Sequence, residues 1–402
     1  MNQEPSDIIH IGVVGLGPRG ASWIHLLNTF SGCRVVAACD SCAPLLEAVV
    51  ATHAGREIKG YADYGAMLDH PGLDAVVINT DATTQADLAV QAMEAGKHVT
   101  TEVPACNTLE DCWKLVLAVE KTGRVYQLAE QMRYAGFVLA WKKIVSEGRL
   151  GKILYVEGEY VGYYPEQPMY FRDETTGERL SPEAALNHPN ASKTWRHKMT
   201  PITYLPHTLS PLLSVLDDRV TEVTAMGTRP QSYFSPNIEQ SDVEVALMKT
   251  GKDTILRTMV GFTAPVGKRG ENTHHFYQVR GTHGAVESQR AGWDKPKMWL
   301  HDHQMPDWAA MSWGLNVTNA PPEALASGHD GMDYYPVSTW LDAIRNTSTP
   351  AMDVYTAIET AAPSAAAVES IRCGSSLVKV PDFRPNENRK AGEEPKTRGF
   401  DE

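Results

Sequence analysis

Tyr204 and His207 stand three residues apart in the stretch PITYLPHTLSP, and both side chains can move a proton. Histidine titrates near neutral pH, so it can take a proton from a hydroxyl group and give it back. A tyrosine, whose ordinary pKa is about 10, acts as a base only where a cation or a nearby histidine lowers that value. Tyr134, which follows AEQMR, is a second candidate, and the sequence does not decide between the two tyrosines. This set of residues predicts acid–base catalysis.

Glu102 lies in the stretch KHVTTEVP, at the end of a predicted strand. Doubly wound sheets place their sites at the carboxyl ends of their strands. A carboxylate there can orient a hydroxyl group or carry a proton, although it can also serve only the fold.

A glycine-rich turn follows the apolar run Ile8 to Val14 and leads into the predicted helix ASWIHLLNTF. Glycines in this pattern allow a tight turn, close approach of the backbone to a pyrophosphate, and a helix N-terminus that favours anions. The next predicted strand, CRVVAACD, ends in an acidic residue 20 positions beyond the turn, where a carboxylate binds ribose hydroxyls and repels a 2′-phosphate. The sequence therefore predicts NAD as cofactor rather than NADP. The predicted cofactor-binding residues, including two after the strand LDAVVINT, are Gly15, Gly17, Pro18, Arg19, Gly20, Asp40, Asn79, Thr80 and Glu102.

A local basic cluster, KTWRHKM, precedes the tyrosine–histidine pair. Arginine presents a planar fork that suits oxyanions. We therefore predict substrate contacts, including an anionic group such as a carboxylate or sulfonate, from Trp195, Arg196 and Lys198, with Arg133 as a further candidate. The alternative is a solvated loop or a subunit contact. The segment 163–195, rich in proline, tyrosine and charge, is predicted to be an insertion over the pocket.

Strands alternate with helices of 10 to 15 residues through the first 125 positions, which indicates a doubly wound parallel sheet. A chain of 402 residues has room for more than one core. We predict a Rossmann domain at 1–130, a substrate-binding and oligomerisation domain at 131–385, and a flexible, charged tail at 386–402.

The formal net charge of −12 argues against a nucleic-acid partner, because such proteins need clustered positive charge. No apolar run approaches the roughly 18 residues of a membrane span, so we expect no membrane association and a cytoplasmic location. His274, His275 and His283 do not complete a ligand set, and we predict no metal site.

The stretch AMEAGKHVTTEVPA, followed by GRLGKI, THGAVESQR and HDGMDYYPVSTWLDAI, resembles the Gfo/Idh/MocA oxidoreductase family over nearly the whole chain. The resemblance implies a C-terminal α+β domain with an open, mostly antiparallel sheet, and assembly into a homo-oligomer, a dimer or tetramer. Three positions depart from the family pattern: Val103 replaces the usual lysine, Gln85 a common histidine, and Thr203 the aspartate of an Asp-x-x-x-His pair. Two proton-handling groups of an ordinary dehydrogenase are therefore missing.

The Tyr-x-x-His pattern, with Glu102 and Tyr134, resembles glycoside hydrolase family 109 and related NAD-dependent glycosidases, which include enzymes acting on sulfoquinovosides. The resemblance implies that a sugar is oxidised at C3, loses its C2 proton, expels the aglycone, adds water and is reduced again. His207, Tyr204, Tyr134 and Glu102 are the catalytic residues that it implies. Two alternatives stay open: a conventional NAD-dependent sugar or glycoside dehydrogenase, and a non-catalytic NAD-binding sensor.

Overall fold

The computed structural model describes residues 8–164, 168–267, 274–317 and 319–400. Over these ranges the chain builds one parallel sheet, one large mixed sheet and one small sheet.

The N-terminal sheet has six parallel strands in the described part of the chain, in the order β3-β2-β1-β4-β5-β6. Its strands are β1 (Ile9–Val14), β2 (Cys33–Cys39), β3 (Lys59–Tyr61), β4 (Ala75–Ile78), β5 (His98–Thr101) and β6 (Tyr126–Leu128). The helices between them are α1 (Pro18–Leu27), α2 (Ala43–Thr52), α3 (Tyr64–Leu68), α4 (Gln85–Glu94) and α5 (Leu109–Thr122). The central strand β4 is buried along its whole length, as expected for a strand covered by helices on both faces. The predicted doubly wound fold is confirmed.

The C-terminal part forms a nine-stranded sheet within the described ranges, in the order β17-β16-β15-β14-β7-β13-β12-β11-β18. Its strands are β7 (Ile153–Val161), β11 (Val220–Gly227), β12 (Glu244–Thr250), β13 (Ile255–Gly261), β14 (His275–Gly281), β15 (Gly284–Glu287), β16 (Lys297–Leu300), β17 (Ala309–Ala310) and β18 (Val378–Lys379). Its neighbouring strands pair antiparallel except for β7 with β13. The predicted open, mostly antiparallel sheet is confirmed.

Six helices of the described residues follow the parallel sheet: α6 (Gly136–Ser146), α7 (Pro182–Ala185), α8 (Pro206–Leu216), α9 (Pro322–Leu325), α10 (Tyr334–Asn346) and α11 (Val354–Arg372). Helix α8 packs against β7 and α6, which places its first turn at the junction of the two sheets. None of the helices in the described ranges is both long and apolar enough to cross a bilayer.

The segment predicted as an insertion folds into a small antiparallel sheet, β10-β8-β9, from β8 (Phe171–Asp173), β9 (Arg179–Leu180) and β10 (Ala191–Lys193). Residues 165–167 of that prediction lie outside the described residues. Tyr170, Phe171, Leu180 and Ile238 form its own apolar cluster. The segment is therefore ordered by a core of its own.

Two packing features differ from the predicted domain plan. Helix α10, inside the predicted second domain, buries Val337, Trp340 and Leu341 in the same cluster as β1 and α1. The chain therefore returns to the Rossmann domain near its end.

The first part of the predicted tail, from residue 386, makes close contacts with α5. Arg389 pairs with Glu120 of α5 at 2.8 Å, and the two side chains are only 8% and 3% exposed. The Gly392 amide donates a further hydrogen bond to the same carboxylate. A buried charge pair of this kind needs both partners, because either charge alone would be left desolvated. Residues 386–393 are thus anchored on α5.

Candidate active site

The glycine-rich turn is shaped by close backbone contacts. Gly15 has a φ of +80°, and a Cβ added there would lie 2.6 Å from the Asn79 carbonyl oxygen. A Cβ on Gly20 would lie 1.9 Å from the Gly15 carbonyl oxygen, so α1 approaches β1 only because position 20 is glycine. Gly17 precedes α1, and Pro18 occupies the helix's first position, where no amide proton is needed.

A cavity of about 500 Å³, here called the cofactor cavity, opens beside this turn. Its lining includes Gly15, Gly17, Asp40, Asn79 and Thr80. The Asp40 carboxylate accepts hydrogen bonds from the Leu16 amide at 2.7 Å and the Cys42 amide at 2.8 Å, which fix its position at the end of β2.

The side-chain amide of Asn79 is the clearest sign of a ligand in the cofactor cavity. Both of its polar atoms are buried and have no hydrogen-bond partner among the described residues. Buried polar groups are normally paired, so this amide is set up to bind something that enters the cavity. A helix N-terminus for phosphates, a carboxylate for ribose hydroxyls and a free amide together fit a dinucleotide.

A second cavity of about 370 Å³, here called the reaction cavity, adjoins the first. The two share Gly17, Asn79, Thr80, Arg179 and Trp195. The reaction cavity brings together Pro18, Arg19, Glu102, Trp195, Arg196, Tyr204 and His207 from the predicted set, with Val103 at the position of the missing lysine. The tyrosine–histidine pair and the cofactor cradle therefore face one continuous space.

His207 has a buried carboxylate behind it. Its Nδ1 lies 2.7 Å from Oε2 of Glu130, and the Glu130 side chain is 0% exposed. Neither of these two atoms has a hydrogen bond within the described residues, so the 2.7 Å approach is a charge contact. Oε1 of Glu130 accepts the Met132 amide at 2.7 Å, which holds the carboxylate in place. A carboxylate in this position can orient a histidine ring.

A second histidine–carboxylate pair lies across the reaction cavity. His329 lines the cavity, and its Nδ1 is 2.9 Å from Oδ1 of Asp333. Burial lowers the pKa of His329, but the hydrogen bond and charge of Asp333 outweigh it, so the pKa lies above its ordinary value. Burial acts to raise the pKa of Asp333, yet His329 and Arg19 hold it well below its usual range.

Arg19 links that pair to Glu102. Its guanidinium contacts Glu102 Oε1 at 2.5 Å and Asp333 Oδ2 at 2.8 Å, and the Trp23 indole donates to Glu102 Oε1 at 2.6 Å. Burial lowers the pKa of Arg19, but the two carboxylates more than offset that effect and raise it. This network ties α1, the end of β5 and the start of α10 into one wall of the reaction cavity.

Tyr204 is held as a neutral phenol. Burial raises its pKa to about 12, while the charge of Arg196 acts in the opposite direction. The Arg196 guanidinium lies 4.8 Å from the ring centres of both Trp195 and Tyr204, whose planes are within 9° of parallel. Arg196 is thereby placed by cation–π contacts and has no ion pair in the described residues.

Three predicted site residues lie elsewhere. Tyr134 stacks on Tyr335 at 5.6 Å and its hydroxyl is 3.3 Å from that of Thr339, away from the reaction cavity. Arg133 points at the Met352 sulfur and lines a different cavity with residues of α6, α8 and α11. Lys198 is exposed and pairs with Glu239 at 3.7 Å. In the turn at Met132–Tyr134, Met132 is buried, Arg133 and Tyr134 lie away from the reaction cavity, and Glu130, just before the turn, lies buried behind His207.

The three residues that depart from the family pattern have structural roles in this chain. Gln85 is buried and donates a hydrogen bond to the Pro104 carbonyl at 3.0 Å, and Thr203 donates to the Thr200 carbonyl at 2.8 Å. Val103 is buried against the core. These positions stabilise the local backbone and supply no titratable group.

Sequence reasoning missed Glu130, His329, Asp333 and Arg179. Glu130 stands in AEQMR, after a predicted strand, and that position alone marks it as a candidate. His329 and Asp333 are four apart in HDGMD, a spacing that could have indicated a pair.

The fold and the two adjoining cavities are those of a dinucleotide-dependent enzyme, and His207 lines the second cavity. Residues 9–130 match the family model described as "Oxidoreductase family, NAD-binding Rossmann fold", and residues 138–287 match the "GFO/IDH/MocA C-terminal domain". Residues 265–389 match the "Glycosyl hydrolase 109, C-terminal domain". The first two matches cover more than half of the chain. The chain belongs to the Gfo/Idh/MocA oxidoreductase family and is an NAD-dependent enzyme.

Curated relatives and solved structures agree with this assignment. The chain is 27% identical to a protein of Tannerella forsythia named "Alpha-N-acetylgalactosaminidase", over 94% of this chain and 86% of that one. It is 26% identical to "Glycosyl hydrolase family 109 protein 2" of Phocaeicola vulgatus, over 94% of each. Levoglucosan dehydrogenase in complex with NADH and levoglucosan superposes with a TM-score of 0.71 at 19% identity, over 93% of this chain and 100% of that one. The WlbA dehydrogenase of Bordetella pertussis, in complex with NADH and UDP-GlcNAcA, gives 0.67 at 20% identity, over 93% and 99%.

Proposed function

We propose that the chain is an NAD-dependent glycosidase that hydrolyses its substrate through transient oxidation at C3 of the sugar. The observation that carries the proposal is the pair of histidine–carboxylate units, His207–Glu130 and His329–Asp333, on one cavity that adjoins the cofactor cradle. Oxidation followed by elimination needs a base for a hydroxyl and an acid for a leaving group, and two histidines in different electrostatic surroundings supply both.

Asp40 would hold the ribose of NAD, the N-terminus of α1 and Arg179 its phosphates, and Asn79 the part nearest the reaction cavity. When bound, NAD accepts a hydride from a sugar carbon and returns it at the end of the cycle.

His207 is the base for the C3 hydroxyl. Glu130 lies directly behind the ring, and His207 takes the hydroxyl proton as C3 becomes a ketone and gives it back when C3 is reduced.

Glu102 is the carboxylate of the reaction cavity, and we assign it the C2 proton, which the neighbouring ketone makes acidic. His329, whose pKa is raised by the hydrogen bond and charge of Asp333, gives its proton to the glycosidic oxygen as the C1–O bond breaks. Water then adds to C1 and gives its remaining proton to the imidazole of His329, while the proton held by Glu102 returns to C2. Once C3 has been reduced and its oxygen has regained the proton held by His207, the sum is hydrolysis with no net oxidation. Tyr204, neutral at working pH, donates a hydrogen bond to a sugar oxygen and is not the base; Tyr134 has no part in the chemistry.

Arg196 is the group for an anionic substituent on the sugar. It faces the reaction cavity and has aromatic neighbours in place of a carboxylate partner. A sulfonate or carboxylate would complete its charge, so the substrate panel includes anionic sugars. Family resemblance further suggests a homo-oligomer, which light scattering of the purified protein would measure.

The second candidate is an NAD-dependent sugar or glycoside dehydrogenase that releases a keto-sugar. Two observations favour it: a phenol with a pKa of about 12 leaves Glu102 as the C2 base, and Oε1 of Glu102 is already bound by Arg19 and Trp23. The third expectation, a non-catalytic sensor, is wrong for a member of this enzyme family with a histidine backed by a carboxylate at its centre.

The test is a panel of neutral and anionic aryl glycosides, headed by an N-acetyl-α-galactosaminide, with catalytic NAD in deuterated water. Aryl alcohol release without accumulation of NADH, and deuterium at C2 of the product, is the expected result. Stoichiometric NADH without aryl release would overturn hydrolysis in favour of the dehydrogenase.

A further inference from the structure

A cavity of about 530 Å³, here called the α8 cavity, lies between α6, α8 and α11. Within the described ranges it shares no lining residue with the cofactor cavity or the reaction cavity. All of its lining residues except Leu213 are charged or carry a hydroxyl group. The α8 cavity therefore suits a polar ligand, and the residues assigned above to NAD and to proton transfer leave it unused.

Some of the charges around the α8 cavity are already balanced. The Arg384 guanidinium binds the Glu359 carboxylate at 2.7 Å, and Arg219 lies 3.3 Å from Asp382. These two arginines hold neighbouring segments together, so neither has its full charge available for a ligand.

The Arg133 guanidinium, by contrast, lacks a carboxylate. Its Nη1 contacts the Met352 sulfur, a weak acceptor that also receives the Ser210 hydroxyl at 3.5 Å. Among the residues that the structure describes, this sulfur is its only hydrogen-bond partner, and no ion pair is formed. The chain has 49 acidic residues against 37 basic ones, so this charge is unpaired in spite of an excess of acid. A partly buried guanidinium with one weak partner is set up to bind an anion.

A second cation and four hydroxyl groups line the same space. Lys142, an exposed residue of α6, likewise has no ion pair in the described part of the chain. Ser210 and Ser214 are four positions apart on α8, and Thr356 and Thr360 are four apart on α11, so each pair lies on one face of its helix. A phosphate group carries up to two negative charges and three acceptor oxygens, which two cations and several hydroxyl donors can satisfy.

The α8 cavity also has an acidic end. Asp217, which ends α8, and Asp218 lie three and four positions beyond Ser214, and both line the cavity. Carboxylates repel a second phosphate but accept hydrogen bonds from hydroxyl groups. The volume of about 530 Å³ lies within the range of small-molecule sites, roughly 300–1,000 Å³, and exceeds what one phosphate ion fills.

We infer that the α8 cavity is a second ligand site, which binds a phosphate group carried on a small polyhydroxylated molecule such as a hexose phosphate. Arg133 and Lys142 bind the phosphate, and the carboxylates at the end of α8 accept the hydroxyl groups. The inference does not rest on the proposed function, because the α8 cavity contains neither the reacting sugar nor NAD. Its ligand contacts α8, whose first turn carries His207, at the opposite side from the reaction cavity.

The test is calorimetric titration of the NAD-saturated protein, in a buffer free of phosphate, with glucose 6-phosphate, inorganic phosphate and glucose as probes. NAD fills the cofactor cavity, where the N-terminus of α1 and Arg179 would otherwise attract the phosphate. We expect one equivalent of glucose 6-phosphate to bind, inorganic phosphate to bind more weakly, and glucose not to bind. Equal affinity for inorganic phosphate, or for glucose, would overturn the assignment of a phosphorylated, hydroxyl-bearing ligand.

Arg133→Gln should weaken the binding of glucose 6-phosphate by at least about 10-fold, the value of one charge-assisted hydrogen bond. Arg196→Gln is the matched change in the reaction cavity and should leave this affinity unchanged. If Arg196→Gln abolished binding instead, the phosphate would lie in the reaction cavity and the inference would be wrong.

Lys142→Gln keeps the test decisive if Arg133→Gln alters the fold, because Lys142 is exposed on α6. It should weaken binding by about 3-fold, as the loss of one exposed charge does. Lys143→Gln is its control, since Lys143 is the next residue on the same helix, pairs with Glu147 at 3.9 Å and does not line the α8 cavity. Absence of saturable binding up to about 10 mM glucose 6-phosphate, or the same affinity in Arg133→Gln, Lys142→Gln and the natural enzyme, would overturn the inference.

Discussion

The two histidine–carboxylate pairs of the reaction cavity have the same components in different surroundings. Glu130 is fully buried and the His207 side chain is 11% exposed, at the junction of the two sheets. Asp333 is as deeply buried as Glu130, but His329 is 49% exposed and sits on a left-handed turn. Asp333 also forms an ion pair with Arg19, whereas the other contact of the Glu130 carboxylate is a hydrogen bond from the Met132 amide.

The difference assigns the roles. A buried histidine with a carboxylate of its own keeps a fixed ring and can alternate between its two protonation states. His275, stacked 4.0 Å from Tyr160 and 6.3 Å from His207, stays neutral because burial holds its pKa well below the ordinary value. An exposed histidine with a raised pKa starts protonated and can follow a departing group. Each prediction below changes one member of this comparison.

The largest effect is expected from His207→Gln. It removes the base for the C3 hydroxyl, and loss of a general base typically costs about 10²–10⁴-fold in rate. Single-turnover reduction of NAD by the substrate should fall by about 10³-fold, while NAD binding, followed by fluorescence, should not change. Retention of more than a tenth of the single-turnover rate would remove His207 from its assigned role.

Glu130→Gln is expected to cost less, about 10–100-fold in kcat/KM, the range for a partner that orients a catalytic histidine ring. The glutamine oxygen can still accept the Met132 amide, so the turn at 132–134 should survive and the melting temperature should change little. Glu130→Asp, which keeps the charge but shortens the side chain, is the matched variant. Its kcat/KM should lie between those of the natural enzyme and Glu130→Gln. Full activity in Glu130→Gln would mean that the 2.7 Å contact does not act in catalysis.

The cofactor half of the site could be predicted because its signal is local. The turn from Gly15 to Gly20 and the carboxylate of Asp40 follow two strands in sequence, and the structure places them around one cavity. Glu130 and His207 are 77 residues apart, and only the packing of α8 on the junction brings them together. No spacing in the sequence carries that information.

The predicted site residues that lie outside the reaction cavity share one origin. Tyr134 and Arg133 lie on a single 3₁₀ turn, in which a change of one or two positions reverses the direction of a side chain. Glu130 lies buried against the ring of His207, which lines the reaction cavity, while Arg133 and Tyr134 lie away from that cavity. The return of α10 to the Rossmann domain, which delivers Asp333 to Arg19, likewise depends on contacts between residues more than 300 positions apart.

Asp333→Asn tests the second pair through pH. Asp333 raises the pKa of His329, so its loss should lower that pKa and move the alkaline limb of kcat/KM to lower pH. We expect about a 10-fold loss above pH 8 and a smaller one near pH 6. His329→Gln should abolish this limb altogether, and an unchanged limb in both variants would refute the assignment of His329 as the acid.

The same pair predicts the direction of a stability change. Because folding raises the pKa of His329, its pairing with Asp333 contributes stability below the unfolded value of about 6.5 and loses it as pH rises through the folded value. The difference in melting temperature between the natural enzyme and His329→Gln should therefore be larger at pH 5.5 than at pH 8.5. The reverse order would contradict the raised pKa.

The smallest effect is expected from Arg133→Gln. This substitution tests whether the side chains of the turn that lie away from the reaction cavity contribute to activity. Arg133 is joined to the site in sequence, three residues from Glu130, but its guanidinium lies in a cavity between α6, α8 and α11 that shares no residue with the reaction cavity. We expect kcat and KM within about 2-fold of the natural enzyme on neutral and anionic substrates. Arg196→Gln, the matched change inside the reaction cavity, should raise KM for an anionic substrate by about 10-fold, the value of one charge-assisted hydrogen bond. If Arg133→Gln instead raised KM selectively for anionic substrates, the turn would have to reorganise on binding, and the outward direction of Tyr134 would then no longer exclude it from the site.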